Sequence, residues 1–432
     1  MVKFIMNKNN NKILDVYLYN NFAGKLFFKN GLLSFQYDQQ YLNSKSPKAL
    51  SYSIPLSNKQ YDHKITESFF SGLLPEENIR RQIAKYLHIS YQNTFALLDA
   101  IGGECAGAIS VYKEDYNINQ NINKYNYKIL TDNEASDILL HLDKIPMYID
   151  KDDVRISGAG AQDKLIISLV DNKIAIPLKG TPSSYILKPE IKGFQYTVEN
   201  EFFCMQLAKN IGLPVPDTFI YTLKDKNFYL VKRYDRQHLN DGIILRLHQE
   251  DFCQALHIAP IQKYENEGGP SLKQCFELLD QKIKLGLMSG DNKFTLLKGI
   301  IFNFLIGNGD AHGKNFSILY DKDKDKESLA PFYDLLSTRV YTNSQKSKMA
   351  MKLGNKYKFK DVTLKQFEYL SDDIGFRFDF VKKQIKNAIE NINKEAVILI
   401  EKLNKDQKYS CDIYNSIFEI IKENSAKLII KN

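Results

Sequence analysis

Two acidic side chains and one amide in the C-terminal half of the chain have the types and spacing that phosphoryl transfer requires. Asp310 and Asn315 lie five positions apart in the segment NGDAHGKNF, and Asp334 follows in the segment PFYDLLS. In such a set, the first aspartate accepts the proton of the attacking hydroxyl, while the asparagine and the later aspartate bind Mg²⁺ on the phosphates. Magnesium prefers oxygen ligands and keeps several waters, so a few side-chain oxygens suffice. The pattern indicates a kinase-type catalytic centre.

The same loop has a simpler interpretation. An apolar run at residues 300–307 leads into it, and a polar turn after a buried helix would contain similar residues. Asp310 and Asn315 would then act only as caps or turn formers. The loop alone does not separate the two interpretations, so the elements that would position it have to decide.

A glycine-containing segment lies upstream, where a phosphate-binding loop should be. The residues SGAGAQDK at 157–164 run into the apolar stretch 165–169, which predicts a strand. Gly158 and Gly160 would let backbone N–H groups approach a polyphosphate closely. Two glycines among small residues are also common in an ordinary turn. The segment has no Walker-type lysine followed by Ser or Thr, so a P-loop NTPase is not supported.

The next predicted element ends in a lysine. Lys188 closes the apolar run 184–188 and is similar to the kinase strand lysine that contacts the α- and β-phosphates, although a solvated strand-end lysine is the alternative. Residues 198–214 contain a predicted helix, on which Glu201 could pair with Lys188 or simply favour the helix N-terminus. Residues 228–236 predict a strand that leads to a hinge, where backbone amides would bind adenine. Each signal is weak alone, but their order is that of a kinase.

The complete set of segments resembles the HipA-type Ser/Thr kinases, the toxins of bacterial type II toxin–antitoxin systems. The matching segments are residues 157–164, 186–189, 233–236, 247–256, 309–317 and 331–334, with 69–76 and 106–108 in the N-terminal part. The resemblance covers nearly the whole chain. It implies an α+β, protein-kinase-like bilobal fold, with a small N-terminal α+β subdomain and a mainly helical C-terminal lobe.

The resemblance also implies a division of the chain. An N-terminal HipA-like subdomain is expected at residues 1–112, followed by a loop or linker at 113–129. The kinase N-lobe with the glycine-rich loop is expected at 130–236, and the helical C-lobe with the catalytic loop at 237–432. Local patterns agree in part: residues 78–87 have helical periodicity, and the region 114–128 is rich in Asn, Lys and Tyr without apolar periodicity.

Carried over residue by residue, the resemblance implies Asp310 as the proton acceptor and Asn315 and Asp334 as the Mg²⁺ ligands. The implied nucleotide-binding residues are Ala159, Gly160, Ala161, Gln162, Asp163, Lys164, Lys188, Lys232, Arg233, Tyr234, His312, Lys314, Asn315, Tyr333 and Asp334. Ser157 falls where the family carries an autophosphorylated serine. Lys232 is a departure, because the family pattern has an acidic residue at that position.

The function implied by the resemblance is that of an ATP- and Mg²⁺-dependent Ser/Thr protein kinase that arrests growth as a toxin. The implied target is an aminoacyl-tRNA synthetase, the glutamate-specific one, and the implied partner is a small HipB-like helix-turn-helix antitoxin that holds operator DNA. Lys382, Lys383 and Lys386 are candidates for DNA contact, with an ordinary solvated helix face as the alternative. Nothing in the residues themselves specifies the protein substrate.

Two other functions would use the same residues differently. One is a catalytically silent kinase-fold co-repressor bound to an antitoxin–DNA complex. The other is a kinase of a small-molecule or lipid hydroxyl, which could use the same carboxylates and amide. The silent form is disfavoured by the joint presence of four residues: Lys188, Asp310, Asn315 and Asp334.

The composition indicates the general class of protein. The chain has 432 residues, too many for one ordinary hydrophobic core, so more than one subdomain is expected. Its content of 44% hydrophobic and 25% charged residues is that of soluble globular proteins. Five scattered cysteines form no Cys-x-x-Cys pair, so neither a disulfide framework nor a zinc site is indicated. The segment Met1–Asn7 becomes polar too soon for a secretory signal, and we expect a cytoplasmic protein. The net charge of +8 permits contact with nucleic acid without demonstrating it.

Overall fold

The computed structural model describes residues 12–114, 116, 125–142, 144, 146–149, 154–239, 243–321, 323–342 and 346–429. The segment Met1–Asn7 and most of the predicted linker at 113–129 lie outside these ranges. Within the described ranges, no helix is both long enough and apolar enough to cross a membrane.

A four-stranded antiparallel sheet opens the described chain, with the strand order β3-β2-β1-β4. Its strands are β1 (Lys12–Leu18), β2 (Asn21–Lys29), β3 (Leu32–Tyr37) and β4 (Ile109–Lys113). Between β3 and β4 the chain forms α1 (Gln39–Leu42), α2 (His63–Gly72), α3 (Glu77–Tyr86) and α4 (Thr94–Ile101). The helix predicted at residues 78–87 is confirmed as α3, which buries Ile79 and Ile83 as its periodicity requires.

A six-stranded antiparallel sheet follows, with the order β5-β7-β6-β8-β10-β9. It contains β5 (Asn126–Ile129), β6 (Leu165–Val170), β7 (Lys173–Leu178), β8 (Tyr185–Lys188), β9 (Thr218–Leu223) and β10 (Lys226–Lys232), with α5 (Asp132–Leu140) and α6 (Thr197–Asn210). The predicted strands at the glycine-containing segment and at Lys188 are confirmed as β6 and β8. The interpretation of 113–129 as a linker is wrong at its end, because β5 pairs with β7 along its length.

The C-terminal half is mainly helical but also contains short strands. Its helices are α7 (Phe252–Ala255), α8 (Leu272–Lys284), α9 (Asp291–Ile306), α10 (Leu364–Ile374), α11 (Phe378–Asn404) and α12 (Ile413–Leu428). Its strands are β11 (Arg236–His238), β12 (Ile244–Arg246), β13 (His248–Asp251), β14 (Ser317–Asp321), β15 (Lys326–Leu329), β16 (Lys348–Leu353) and β17 (Lys356–Lys358). The loop that contains Asp310 and Asn315 runs from the end of α9 to β14, so a buried helix and a sheet strand fix its two ends.

Helix α9 is apolar on most sides because other elements surround it. Residues 296–297 and 299–306 of the helix are all buried. A Cβ atom on Gly299 would lie 2.3 Å from the ring of Phe332, so only glycine lets the segment before Asp334 pack this closely. Gly307 ends the helix at φ +74, a conformation that glycine adopts without strain. The apolar run in the sequence therefore positions the loop that follows it.

Within the part of the chain that the structure describes, the buried side chains form two hydrophobic cores. One lies among the helices of the C-terminal half and includes α6 and α9. The other is shared by the four-stranded sheet and the six-stranded sheet, since residues from β1, β4, β6 and β7 belong to the same cluster. The domain boundaries at 112, 130 and 236 stay predictions, and the shared core means that the first two sheets pack as neighbours.

A buried charge cluster connects the N-terminal unit, which comprises β1 to β4 and the helices between them, with the segment after β10. The carboxylate of Glu104 lies 3.2 Å from an Arg233 Nη atom and 2.5 Å from an Arg236 Nη atom. Arg233 also pairs with Asp235 at 2.7 Å. The carboxylate of Asp235 in turn accepts a hydrogen bond from the amide of Gly107 at 2.7 Å. The side chains of the four charged residues are at most 5% exposed. The guanidinium of Arg233 is therefore committed to this cluster, so its side chain is not available to an adenine ring.

Candidate active site

The loop after α9 is held by an asparagine that the sequence patterns did not single out. Asn308 is buried, and its Nδ2 atom donates to Asn303 Oδ1 at 2.7 Å and to the carbonyl of Asp334 at 3.2 Å. Its Oδ1 atom accepts the amide of Asp310 at 3.0 Å. One side chain thus ties Asp310 to the segment that contains Asp334. Its position two residues before Asp310 was the available signal.

Asp310 presents its carboxylate at the edge of a cavity. The side chain is 46% exposed, and Oδ1 accepts the hydroxyl of Tyr264 at 2.6 Å. The Nε2 atom of His312 lies 4.0 Å from the same oxygen. Burial lowers the pKa of His312, so its imidazole is neutral near pH 7. Asp310 is accessible enough to receive a substrate hydroxyl, as a proton acceptor must be.

The amide of Asn315 is oriented by the backbone of Asp310. Its Nδ2 atom donates to the Asp310 carbonyl at 2.9 Å. A carbonyl can only accept, so this bond identifies the nitrogen and leaves Oδ1 as the atom that can bind a cation. Among the described residues, no group of three or more His, Cys, Asp or Glu could hold a metal. The donor set of Asn315 and Asp334 fits Mg²⁺, which proteins commonly bind through one or two carboxylates together with substrate phosphates.

Lys188 lies between two carboxylates. Its Nζ atom is 2.7 Å from Glu201 on α6 and 2.5 Å from Asp334. Burial alone would lower the pKa of Lys188, but the carboxylates of Asp334 and Glu201 outweigh it and raise this pKa. The pairing of Lys188 with Glu201, one of two interpretations of the sequence, is confirmed. Asp334 adopts φ +53, an unusual conformation for a residue other than glycine, and the bond from Asn308 holds it there.

The glycine-containing loop is folded against the N-terminal unit. Gly160 has φ +103, and its carbonyl accepts the amide of Glu76 at 3.2 Å. The ammonium group of Lys164 donates to the carbonyl of Ala159 inside the loop. Burial, together with the nearby charge of Lys188, lowers the pKa of Lys164 to about 8. The loop thus brings a second lysine to the cavity that contains Lys188.

One cavity of about 540 Å³ contains all of the predicted site residues. Its lining includes Ser157, Ala159, Gly160, Ala161, Gln162, Asp163, Lys164, Lys188, Lys232, Arg233, Tyr234, Asp310, His312, Lys314, Asn315, Tyr333 and Asp334. The volume is within the usual range of small-molecule and cofactor sites. Glu76, Asp251 and Gln254 also line it, and the sequence patterns did not assign them a role.

The predicted adenine end of this cavity differs from the expectation in one respect. The amides of Lys232 and Arg233 already donate to the carbonyls of Asp217 and Ser184, each at 2.9 Å. Backbone recognition of adenine by this stretch therefore depends on its carbonyl oxygens and on the amide of Tyr234. The ring of Tyr234 stacks on Tyr333 at 5.9 Å, which gives this end of the cavity an aromatic wall.

Lys314 is held by side chains from two directions. Its Nζ atom lies 2.6 Å from Asp251 and 3.5 Å from Glu76. Burial opposes the charge of Lys314, but Asp251 and Glu76 raise its pKa, so the group stays an ammonium ion. Lys314 contributes positive potential beside Asn315 while it fixes the catalytic loop to α7 and to the N-terminal unit.

The buried pair of Lys188 and Glu201 predicts that activity at this site depends on pH. Burial raises the pKa of Glu201 to about 7, with Lys188 opposing this shift and Asp334 adding to it. Below pH 7 the carboxyl group is mostly protonated and no longer balances Lys188. We expect kcat/KM for ATP, which reports groups of the free enzyme, to rise about tenfold from pH 6 to pH 8. Steady-state assays over this range would measure it.

The variant Glu201→Gln should lack this rise and stay at a low value throughout. Glu199→Gln, two positions earlier on the same helix, is the matched control and should keep the wild-type profile. An unchanged rise in Glu201→Gln would contradict the assignment of the titration to this carboxyl group.

Two protein-family models match the chain, one in its N-terminal part and one in its C-terminal part. The model described as HipA N-terminal domain matches residues 14–112, and the model described as HipA-like C-terminal domain matches residues 156–399. A curated relative, the putative kinase Y4mE of Sinorhizobium fredii, is 37% identical over 376 residues, which are 86% of this chain and 88% of the relative. The Ser/Thr-protein kinase toxin HipA of Shewanella oneidensis is 27% identical over 414 residues, 91% of each chain.

A solved structure gives the same result for the fold. The complex of toxin HipA, HipB and operator DNA from Shewanella oneidensis contains a chain that matches with a TM-score of 0.81. The match has 24% sequence identity and covers 96% of this chain and 97% of the other. The expected α+β, protein-kinase-like fold is therefore confirmed.

Proposed function

The chain belongs to the HipA family of Ser/Thr protein kinases, and on this premise we propose that it transfers the γ-phosphoryl group of ATP to a serine or threonine hydroxyl with the help of Mg²⁺. The observation that carries the proposal is the contact of Lys188 with both Glu201 and Asp334, in the cavity that also contains Asp310 and Asn315. A kinase needs this combination, because the lysine positions phosphates while the carboxylate and amide hold the metal.

Each residue would have a defined part in the reaction. Lys188 would leave Asp334 to contact the α- and β-phosphates and would stay paired with Glu201. Asp334 and Asn315 would hold Mg²⁺, which neutralises the charge on the phosphates when it is bound. Asp310 would orient the acceptor hydroxyl in line with the γ-phosphate and take its proton. The glycine-containing loop at 159–164 would cover the phosphates with its amides.

We further propose that the kinase is a growth-arresting toxin and phosphorylates an aminoacyl-tRNA synthetase, the glutamate-specific one, in the cytoplasm. Support comes from a relative whose name is Ser/Thr-protein kinase toxin HipA. A HipB-like antitoxin is proposed as the partner, because the solved complex with the same fold contains HipB and operator DNA. Lys382, Lys383 and Lys386 lie on the exposed side of α11, and their contact with DNA remains a proposal.

The direct test combines the purified protein, labelled Mg·ATP and three acceptors: the purified glutamate-specific synthetase, total lysate protein and small-molecule or lipid hydroxyls. We expect label on the synthetase. Label on other proteins alone would overturn this target but not the kinase. Label only on small acceptors would favour the small-molecule kinase. Absence of label on every acceptor, together with binding of a HipB-like antitoxin in a separate pull-down assay, would identify a silent co-repressor instead.

Ser157 is proposed as the autophosphorylated residue that switches the kinase off. Its side chain is buried, and its hydroxyl donates to the Leu73 carbonyl at 2.6 Å. A phosphate of about −1.5 to −2 charge could not occupy this position, so the modified loop could not close over ATP. We expect mass spectrometry of active protein to find phosphate on the tryptic peptide 156–164, with activity falling as it accumulates.

Ser157 is the only hydroxyl residue in that peptide, which makes the assignment unambiguous. The variant Ser157→Ala should keep transferring phosphate to substrate without this decline. Wild-type protein that turns over ATP for hours with an unmodified 156–164 peptide would contradict the proposal.

A further inference from the structure

The hydroxyl of Tyr264 lies directly on the proposed catalytic base. It donates to Asp310 Oδ1 at 2.6 Å, although the two residues are 46 positions apart in the chain. Tyr264 belongs to the loop between α7 and α8, and no sequence motif marks it. We propose that Tyr264 is a positioning residue, which holds the Asp310 carboxylate in the orientation that accepts the substrate proton. The inference rests on the kinase function proposed above.

The main chain of Asp310 is fixed without Tyr264, but its carboxylate is not. The amide of Asp310 donates to Asn308 Oδ1 at 3.0 Å, and its carbonyl accepts from Asn315 Nδ2 at 2.9 Å. These bonds leave the two side-chain torsions free, and the carboxylate is 46% exposed. A half-exposed aspartate has several accessible rotamers. The hydrogen bond from Tyr264 selects one of them.

Tyr264 is itself held firmly enough to act in this way. Its ring meets the imidazole of His312 edge to face, with the ring centroids 5.3 Å apart. Its carbonyl accepts the amide of Gly269 at 2.8 Å. The preceding residue, Lys263, lies 3.0 Å from Glu76 and 2.9 Å from Glu77 of the N-terminal unit. The N-terminal unit is thereby connected through Lys263 and Tyr264 to the catalytic aspartate.

The contact leaves room for a substrate. Tyr264 uses Oδ1 of the carboxylate, and Oδ2 remains for the acceptor hydroxyl. Burial and the charge of Asp310 raise the pKa of Tyr264, so its phenol stays protonated and remains a donor at neutral pH. A general base needs one oxygen that is free to take the proton of the substrate hydroxyl. In this arrangement Tyr264 occupies Oδ1, and Oδ2 is left for that proton.

The test is Tyr264→Phe, which keeps the ring on His312 and removes only the hydroxyl. We expect kcat for phosphorylation of protein to fall about 10- to 100-fold, because the base loses its orientation. KM for Mg·ATP and its calorimetric Kd should not change, since Tyr264 does not line the nucleotide cavity. Tyr357→Phe is the matched control, because Tyr357 lines the same small surface pocket as Tyr264, and it should behave as wild type.

An unchanged kcat would overturn the proposal. An increased kcat would also overturn it and would show that the hydroxyl obstructs the acceptor instead. Wild-type activity that is lost in Asp310→Asn establishes the kinase function separately, so a failure of the Tyr264 proposal is distinguishable from a failure of the proposed function.

A second measurement does not depend on activity. Crystal structures of the wild type and of Tyr264→Phe should show Asp310 in one rotamer in the wild type, and in a different rotamer or in several in the variant. The same single rotamer in both proteins would overturn the positioning role even if no substrate had been found.

Discussion

Replacing Asp310 by asparagine is expected to lower the rate constant of phosphoryl transfer by about 10²- to 10⁴-fold, the usual contribution of a general base. Asparagine has the same shape, but its amide cannot take the proton of the acceptor hydroxyl. The backbone bonds of Asp310 to Asn308 and Asn315 do not involve the carboxylate, so the loop should keep its structure. Transfer of label from γ-labelled ATP to protein, under single-turnover conditions, would measure the effect.

Two further measurements separate loss of chemistry from loss of structure. The Kd for Mg·ATP should be close to that of wild type, and the unfolding midpoint should shift little. Asp372→Asn is the matched control, because this aspartate is exposed on α10, and it should retain full activity. Equal rates for the wild type and Asp310→Asn would remove Asp310 from the mechanism.

Replacing Glu104 by glutamine is expected to lower the free energy of unfolding by about 3 to 5 kcal/mol, the typical result of breaking a buried ion pair. Glu104 faces Arg233 and Arg236 in a cluster closed to solvent, and Arg246 is close enough to act on it. Without its carboxylate, the buried guanidinium groups of Arg233 and Arg236 would have only Asp235 as a paired carboxylate. Urea unfolding at pH 7 would measure the loss.

The surface pair of Lys25 and Glu114 provides the control. Its atoms are 2.7 Å apart, but both side chains are at least 40% exposed, so Glu114→Gln should cost less than about 1 kcal/mol. If Glu104→Gln were no more destabilising than Glu114→Gln, the cluster would not be a source of stability.

The same cluster predicts how stability depends on pH. Burial opposes ionisation of Glu104, but Arg233 and Arg236 outweigh it and lower its pKa to about 2, against an ordinary value of 4.5. A lowered pKa means that the folded state binds fewer protons than the unfolded state. The stabilisation from Glu104 is therefore complete above about pH 4.5 and is lost as the pH falls to about 2. Glu104→Gln should lose less stability than the wild type over this range.

The candidate site residues could be selected from the sequence because phosphoryl transfer restricts both residue type and spacing, and one cavity contains them all. Asp310 and Asn315 occupy one short loop, so their separation of five positions already brings them close together. Asp334 was found in the same way, from an aspartate behind an aromatic residue. The structure adds the reason for the loop's rigidity: Asn308 bonds to both segments, which no spacing rule shows.

The supporting contacts were not predictable, because they join ordinary residues far apart in the chain. Glu76 reaches Lys263 across 187 positions, and Tyr264 reaches Asp310 across 46. Each residue type is common on protein surfaces, so only the packed fold reveals the contact. The pairing of Lys188 with Glu201 was an intermediate case. The two residues are 13 positions apart, on a strand and on the next helix, and only the packing of these two elements decides whether the side chains meet.

One sequence interpretation failed and a second is narrowed, each for an identifiable reason. The segment 126–129, NYKI, alternates polar and apolar residues over only four positions after a polar stretch, and it is strand β5 because it pairs with β7 along its length. Lys232, Arg233 and Tyr234 were expected to line the adenine site, which stays a prediction; the amides of Lys232 and Arg233 already donate to neighbouring carbonyls, so the amide of Tyr234 is left for that role. In each case a tertiary contact overrides the local pattern.

The central claim is that Lys188, Asn315 and Asp334 converge on a metal-bound triphosphate beside Asp310. A crystal structure of the protein with Mg²⁺ and a non-hydrolysable ATP analogue tests it most directly. We predict a magnesium ion about 2.0 to 2.1 Å from Asn315 Oδ1 and from an Asp334 oxygen, with Lys188 Nζ on the phosphates. A nucleotide bound outside this cavity, or a metal bound without either side chain, would contradict the account.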